Sequence, residues 1–249
     1  MDASTICTLF ENMPRQGPGS ATCTKKMFTS VPALQKNPAI LDIGCGSGMQ
    51  TIDLARLSPE AYITVVDVHA PFLFDVRMRA VAAGILARIN VVCATMDNLP
   101  FTSGSFDLLW AEGSIFIMGV ERGITELKKF MRLGGYLAFT EAVWFTDTPS
   151  ADVKRFWQEN YPDIKDVQRI QTIAEKAGYS WITSFPLPAS AWWDDYYTPL
   201  VARLPTLEEK YRTHPEAQAI LAGLKKEINI YREHSSEYGY QFILLKNGT

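Results

Sequence analysis

The sequence predicts an α/β protein in which a largely parallel sheet carries helices on both faces. Strand-like and helix-like patterns alternate through most of the 249 residues, as they do where helical crossovers join parallel strands. Residues 39–48 fuse a short apolar strand to a glycine-rich turn that opens into a helical pattern. A second strand then ends in Asp67, about twenty residues beyond the turn, the spacing that brings neighbouring strand ends to one ligand.

The chain opens on a region that departs from the alternation. Within residues 1–37 the run "PRQGPGS" at 14–20 is too rich in turn formers for a helix interior. It reads either as a loop folding over a site, with Arg15 or Gln16 facing inward, or as a plain surface connection. At the first turn, Gly44, Gly46 and Gly48 let the backbone bend tightly and approach a ligand closely, and the following helix presents free N–H groups. Met49 stands where a dinucleotide fingerprint needs glycine, and the Gly-Lys-Ser/Thr of a phosphate loop is absent. The second strand, 61–66, is β-branched and apolar, as expected when both faces are covered. Alone, Asp67 also reads as a helix cap, with Pro71 near the helix start. A third strand at 89–93 runs into the polar turn 94–101. A fourth at 106–111 ends in Glu112-Gly113-Ser114, and a fifth ends at Glu141.

Beyond the fifth strand the chain is unusually aromatic. Val153, Phe156, Trp157 and Tyr161 recur at helical spacing, which burial alone explains. Trp192, Trp193, Tyr196 and Tyr197 are too dense for one helix face to bury, so with Trp144 they are expected to wall a substrate pocket. An amphipathic helix follows around 220–231, and 240–245 reads as a last strand.

The segments "LDIGCGSGMQT", "FDLLWAEGSIFIMGVERGI", "LKKFMRLGGYLAFTEAVWF" and "PRQGPGSATCT" resemble the class I S-adenosylmethionine-dependent methyltransferases, in particular a small-molecule branch related to the ubiquinone/menaquinone-biosynthesis type. The resemblance implies a Rossmann-like seven-stranded sheet whose last strand runs antiparallel beside the fifth, with helices on both faces and a helical, aromatic cap. It implies a helical and loop lid over 1–37 and a methyltransferase domain over 38–249 with cap elements at about 144–200. It implies S-adenosylmethionine as cofactor, held by Asp42, Gly44, Cys45, Gly46, Gly48, Gln50 and Gln16 around the methionine part. Asp67 falls at the ribose, Val68, Met96 and Asp97 at the adenine, and Ala111 beside the cofactor. Asn98 reads equally well as part of a plain turn. Glu112 and then Glu141 are the catalytic base candidates, although a strand-end carboxylate also commonly binds a cofactor amine or a backbone amide.

With 47% hydrophobic residues the chain can bury one large core. A net charge of −3 leaves no footprint for a polyanion, which disfavours a nucleic-acid substrate. The expected partners are a small-molecule substrate and, at most, a second copy of the chain. Four cysteines without paired spacing suggest free thiols, and neither a metal site nor a disulfide framework is expected. No apolar run approaches the ~20 residues needed to cross a bilayer, so a cytoplasmic location without membrane attachment is expected. Two rivals stay open: a short dehydrogenase, which Met49 disfavours, and a catalytically silent cofactor-binding regulator or assembly partner on the same scaffold.

Overall fold

The computed structural model describes residues 3–248, so positions 1, 2 and 249 of the expected domain ranges lie outside the described residues. Two short helices, α1 (Ala3–Leu9) and α2 (Ala21–Thr29), precede the sheet. The Ser20 hydroxyl caps α2 by accepting from the Cys23 N–H. There follow β1 (Ala39–Ile43), α3 (Met49–Leu57), β2 (Tyr62–Asp67), α4 (Ala70–Ala82), β3 (Ile89–Cys93), β4 (Phe106–Ala111), α5 (Val120–Leu127) and β5 (Met131–Trp144). The chain continues through α6 (Ala151–Asn160), the two-residue β6 (Lys165–Asp166), α7 (Val167–Lys176), β7 (Tyr179–Pro186) and α8 (Ala189–Trp192). A π-helical turn (Trp193–Tyr197) leads into α9 (Thr198–Lys210), and α10 (Pro215–His234) and β8 (Tyr238–Asn247) complete the fold.

The strands run in the order β3-β2-β1-β4-β5-β8-β7, with β6 added beside the end of β5. β1 to β5 pair in parallel, and β8 inserts antiparallel between β5 and β7. This is the expected Rossmann-like sheet with its last strand reversed beside the fifth. Apart from Asp42 and Asp107, β1 and β4 are apolar because both their faces are covered, and Ile40, Leu41, Leu108, Leu109 and Trp110 are shut off from solvent completely. Alternate residues feed two cores. Ile40, Leu108 and Trp110 pack under α2, α3 and α4 with Met27, Leu54 and Val76. Leu41, Leu109 and Leu137 pack under α5 and α7 with Ile124 and Ile170.

A third core lies at the carboxyl end of the sheet. It joins Leu9, Phe10 and Met13 from the N-terminal region to Trp192, Tyr196 and Tyr197, to α9 and α10, and to Tyr238 of β8. The aromatic segment therefore packs against the two ends of the chain at once. Among the described residues no helix is long and apolar enough to cross a membrane.

Candidate functional site

The site is built on the turn after β1. Gly44, Gly46 and Gly48 all have left-handed backbones, with φ of +67°, +52° and +82°. A Cβ at Gly44 would stand 2.5 Å from Ser114 Cβ, and one at Gly46 would stand 2.3 Å from Gln16 Oε1. Both neighbours approach because there is no side chain to keep them away. Asp67 fixes the turn from β2: its carboxylate accepts the Gly46 N–H at 2.9 Å and the His69 N–H at 2.9 Å. Burial, the largest influence on it, raises its pKa.

Asp42 lies beneath the turn. Completely buried, it accepts from the Thr51 hydroxyl at 2.5 Å and from Gln50 Nε2 at 3.4 Å, while Gln50 also donates to the Cys45 carbonyl at 2.9 Å. Desolvation pushes its carboxyl up to about 7. Both carboxyl oxygens thus accept from α3, and Asp42 braces the turn from below. Cys45 is likewise buried, and Ala111 closes β4, the strand beside β1 in the sheet.

Val68 and Met96 reach the same rim from the ends of β2 and β3, Val68 half exposed and Met96 packed on the α5/α7 core. Asp97 is more exposed than an adenine-binding acid suggests, and its carboxylate pairs with Arg122 at 2.6 Å. Asn98 contributes only a backbone bond, its N–H donating to the Thr95 carbonyl.

The N-terminal segment wraps this rim as a strap. Gln16 Oε1 accepts the Ser47 N–H at 2.8 Å, and the Ser47 hydroxyl donates to the Pro14 carbonyl at 2.9 Å. His69 and Glu11 meet at 2.8 Å, and the Gly19 N–H donates to the Ala191 carbonyl at 2.9 Å. Arg15 is buried and pairs with Glu112 at 3.0 Å, with Asp53 at 3.7 Å.

Glu112 is consequently not a free base. Oε2 accepts from Arg15, and Oε1 accepts both the Thr24 hydroxyl at 2.7 Å and Trp110 Nε1 at 2.9 Å. A carboxylate so engaged by a buried cation and two neutral donors positions the strap. Sequence reasoning missed Thr24 and Trp110. Trp110 was the available signal, because it points to the same face of β4 as Glu112 two residues on.

Glu141 is different. It is 2% exposed, Oε1 accepts only its neighbour Ala142 N–H, and Oε2 has no hydrogen-bond partner. Desolvation pushes this carboxyl up to about 8, with Tyr161 opposing the rise. Ala111 pairs with Phe139, so Glu141 lies level with the turn after β4.

The expected aromatic wall is corrected in three of its members. Trp192, Tyr196 and Tyr197 are buried in the third core, where Trp192 stacks on Tyr231 at 4.1 Å and Tyr197 donates to Glu227 at 2.8 Å. α10 supplies the second surface that one helix face lacks. Trp193 is half buried under Arg232, 5.3 Å above its ring. Trp144 stands half buried at the end of β5, 6.5 Å from the Trp157 ring. Tyr240, on no list drawn from the sequence, comes within 3.8 Å of where a Gly113 Cβ would be.

Comparison with known proteins agrees with this geometry. Residues 40–135 match the methyltransferase domain family. A malonyl-acyl-carrier-protein O-methyltransferase from Legionella pneumophila is 34% identical over 117 residues, 46% of this chain and 40% of that protein. A ubiquinone/menaquinone biosynthesis C-methyltransferase from Xylella fastidiosa is 26% identical over 128 residues, 49% of this chain and 51% of that one. The chain thus spans about half or less of the length of these curated relatives. A methyltransferase structure from Geobacter sulfurreducens with bound S-adenosylhomocysteine superposes with a TM-score of 0.80 at 19% identity, covering 98% of both chains. Residues 40–135 thus match a methyltransferase domain, and the chain as a whole has the fold of that solved methyltransferase.

Proposed function

We propose that this protein binds S-adenosylmethionine across the carboxyl ends of β1, β2 and β4 and methylates a small molecule. The observation that carries the reading is the glycine turn itself: three left-handed residues whose missing side chains open a hollow, tied to the end of β2 by the Asp67 carboxylate. The bound cofactor supplies an electrophilic methyl on a sulfonium, the intrinsically reactive part of the chemistry. The chain contributes binding, orientation and exclusion of water. In this reading Asp67 accepts the ribose hydroxyls, while Val68, Met96 and Asp97 hold the adenine. Arg15 Nε and Nη2 are buried without hydrogen-bond partners, so they are donors available to the methionine carboxylate. The N-terminal strap shuts water out, and Tyr240 and Glu141 face the acceptor. A cytoplasmic location suits this chemistry.

The test is incubation with methyl-labelled S-adenosylmethionine and a small-molecule extract of the source cells. Label appearing in a new small molecule supports the reading. S-Adenosylhomocysteine binding without any transfer would favour a silent, cofactor-sensing role.

A further inference from the structure

Glu141, Tyr161 and Trp157 form a group of polar side chains whose hydrogen-bonding atoms the fold leaves unused. Glu141 Oε2, the Tyr161 hydroxyl and Trp157 Nε1 are each shut off from solvent and unpartnered. Tyr161 lies close enough to offset part of the rise in the Glu141 pKa, although its hydroxyl and Glu141 Oε2 stand outside hydrogen-bonding geometry. The Trp157 and Tyr161 rings are 6.5 Å apart, and the exposed ring of Phe116 is 6.0 Å from that of Tyr161. Both Trp157 and Tyr161 are only half buried, so the group lies just beneath the surface.

A buried carboxyl with one oxygen unpartnered is costly to keep ionised and does little for the core that an apolar side chain would not do better. Its ionised form is complementary to a positive charge, and ring faces beside it add cation–π attraction. The surrounding charges agree. Lys165, which acts on Glu141 through space, is itself engaged by the Asp163 side chain and carbonyl, and Asp163 adds negative charge.

We infer that Glu141, flanked by Tyr161 and Trp157, recognises a positively charged nitrogen on the methyl acceptor, making the substrate class a small amine or ammonium compound. The inference rests on the methyltransferase reading and concerns recognition, whichever atom of the acceptor receives the methyl. Binding such a cation ionises the carboxyl and releases its proton, so acceptor affinity rises as pH goes from about 6 to about 8.

The experiment uses the full chain with methyl-labelled S-adenosylmethionine and the source-cell extract. Labelled products are resolved from residual cofactor by chromatography and classed by electrophoretic mobility near pH 6. The expected product migrates as a cation. Its formation falls at least about tenfold in Glu141→Gln, while that variant keeps its affinity for S-adenosylhomocysteine. Tyr161→Phe, at a half-buried position, provides a second variant: KM for the cationic acceptor should rise with kcat little changed. A neutral or anionic labelled product, or wild-type turnover by Glu141→Gln, overturns the inference and leaves the methyltransferase reading intact. No labelled product despite intact S-adenosylhomocysteine binding overturns both.

Discussion

Gly46 carries the strongest single-residue constraint, because its φ of +52° and the 2.3 Å approach of Gln16 Oε1 both exclude a side chain. Gly46→Ala should cost about 1–2 kcal/mol of stability from the left-handed backbone alone. By displacing Gln16 it should also weaken S-adenosylhomocysteine binding about tenfold or more in calorimetry, and unchanged affinity would place the ligand elsewhere. Glu141 makes a pH prediction. Its carboxyl titrates near 8 when folded against an ordinary 4.5, so between those values the folded chain holds a proton that the unfolded chain has released. Stability is therefore lost as pH rises through that window. Asp42, pushed up to about 7, acts in the same sense at lower pH. Between about pH 6 and 8 the melting temperature of the wild type should fall more than that of Glu141→Gln, which cannot ionise. Equal falls would mean that the carboxyl titrates normally.

At the scale of elements, the N-terminal strap is tied to the glycine turn and to Glu112. Arg15→Met leaves Glu112 buried without its cation and should cost roughly 3–5 kcal/mol in chemical denaturation. Adding Glu112→Gln should recover part of that loss, whereas strictly additive losses would show that the pair is not coupled. Trp192→Ala should cost about 3–5 kcal/mol while leaving cofactor affinity intact, as expected of a ring buried in the third core. A loss confined to turnover would return Trp192 to the substrate wall. Strands β1 to β4 and the glycine turn were legible in the sequence because each is set by neighbours within a few residues: apolar runs, glycines and a terminal acid. The partners of Glu112 were not legible, because Arg15 and Thr24 lie 97 and 88 residues away. The cap was misread because α10, which covers Trp192 and Tyr197, follows them in the chain and shows itself in the sequence only as one more amphipathic helix.

At the scale of the whole molecule, the parallel strands deliver the glycine turn, Asp67, Met96 and Glu112 to one edge of the sheet, where ligands bind in open α/β folds. The reversed β8 brings Tyr240 to the same edge from the opposite end of the chain, and the N-terminal strap closes over it. The central claim is that this edge holds S-adenosylmethionine through the turn and the β2 carboxylate. A calorimetric titration with S-adenosylhomocysteine, run on the wild type and on Asp67→Ala, tests it most directly. The account predicts one-to-one binding to the wild type, with no comparable heat from NADH. Asp67→Ala should lose about 1.5–3 kcal/mol of binding energy, the range for hydrogen bonds to a charged group. No binding by the wild type, or equal affinity in the variant, would contradict it.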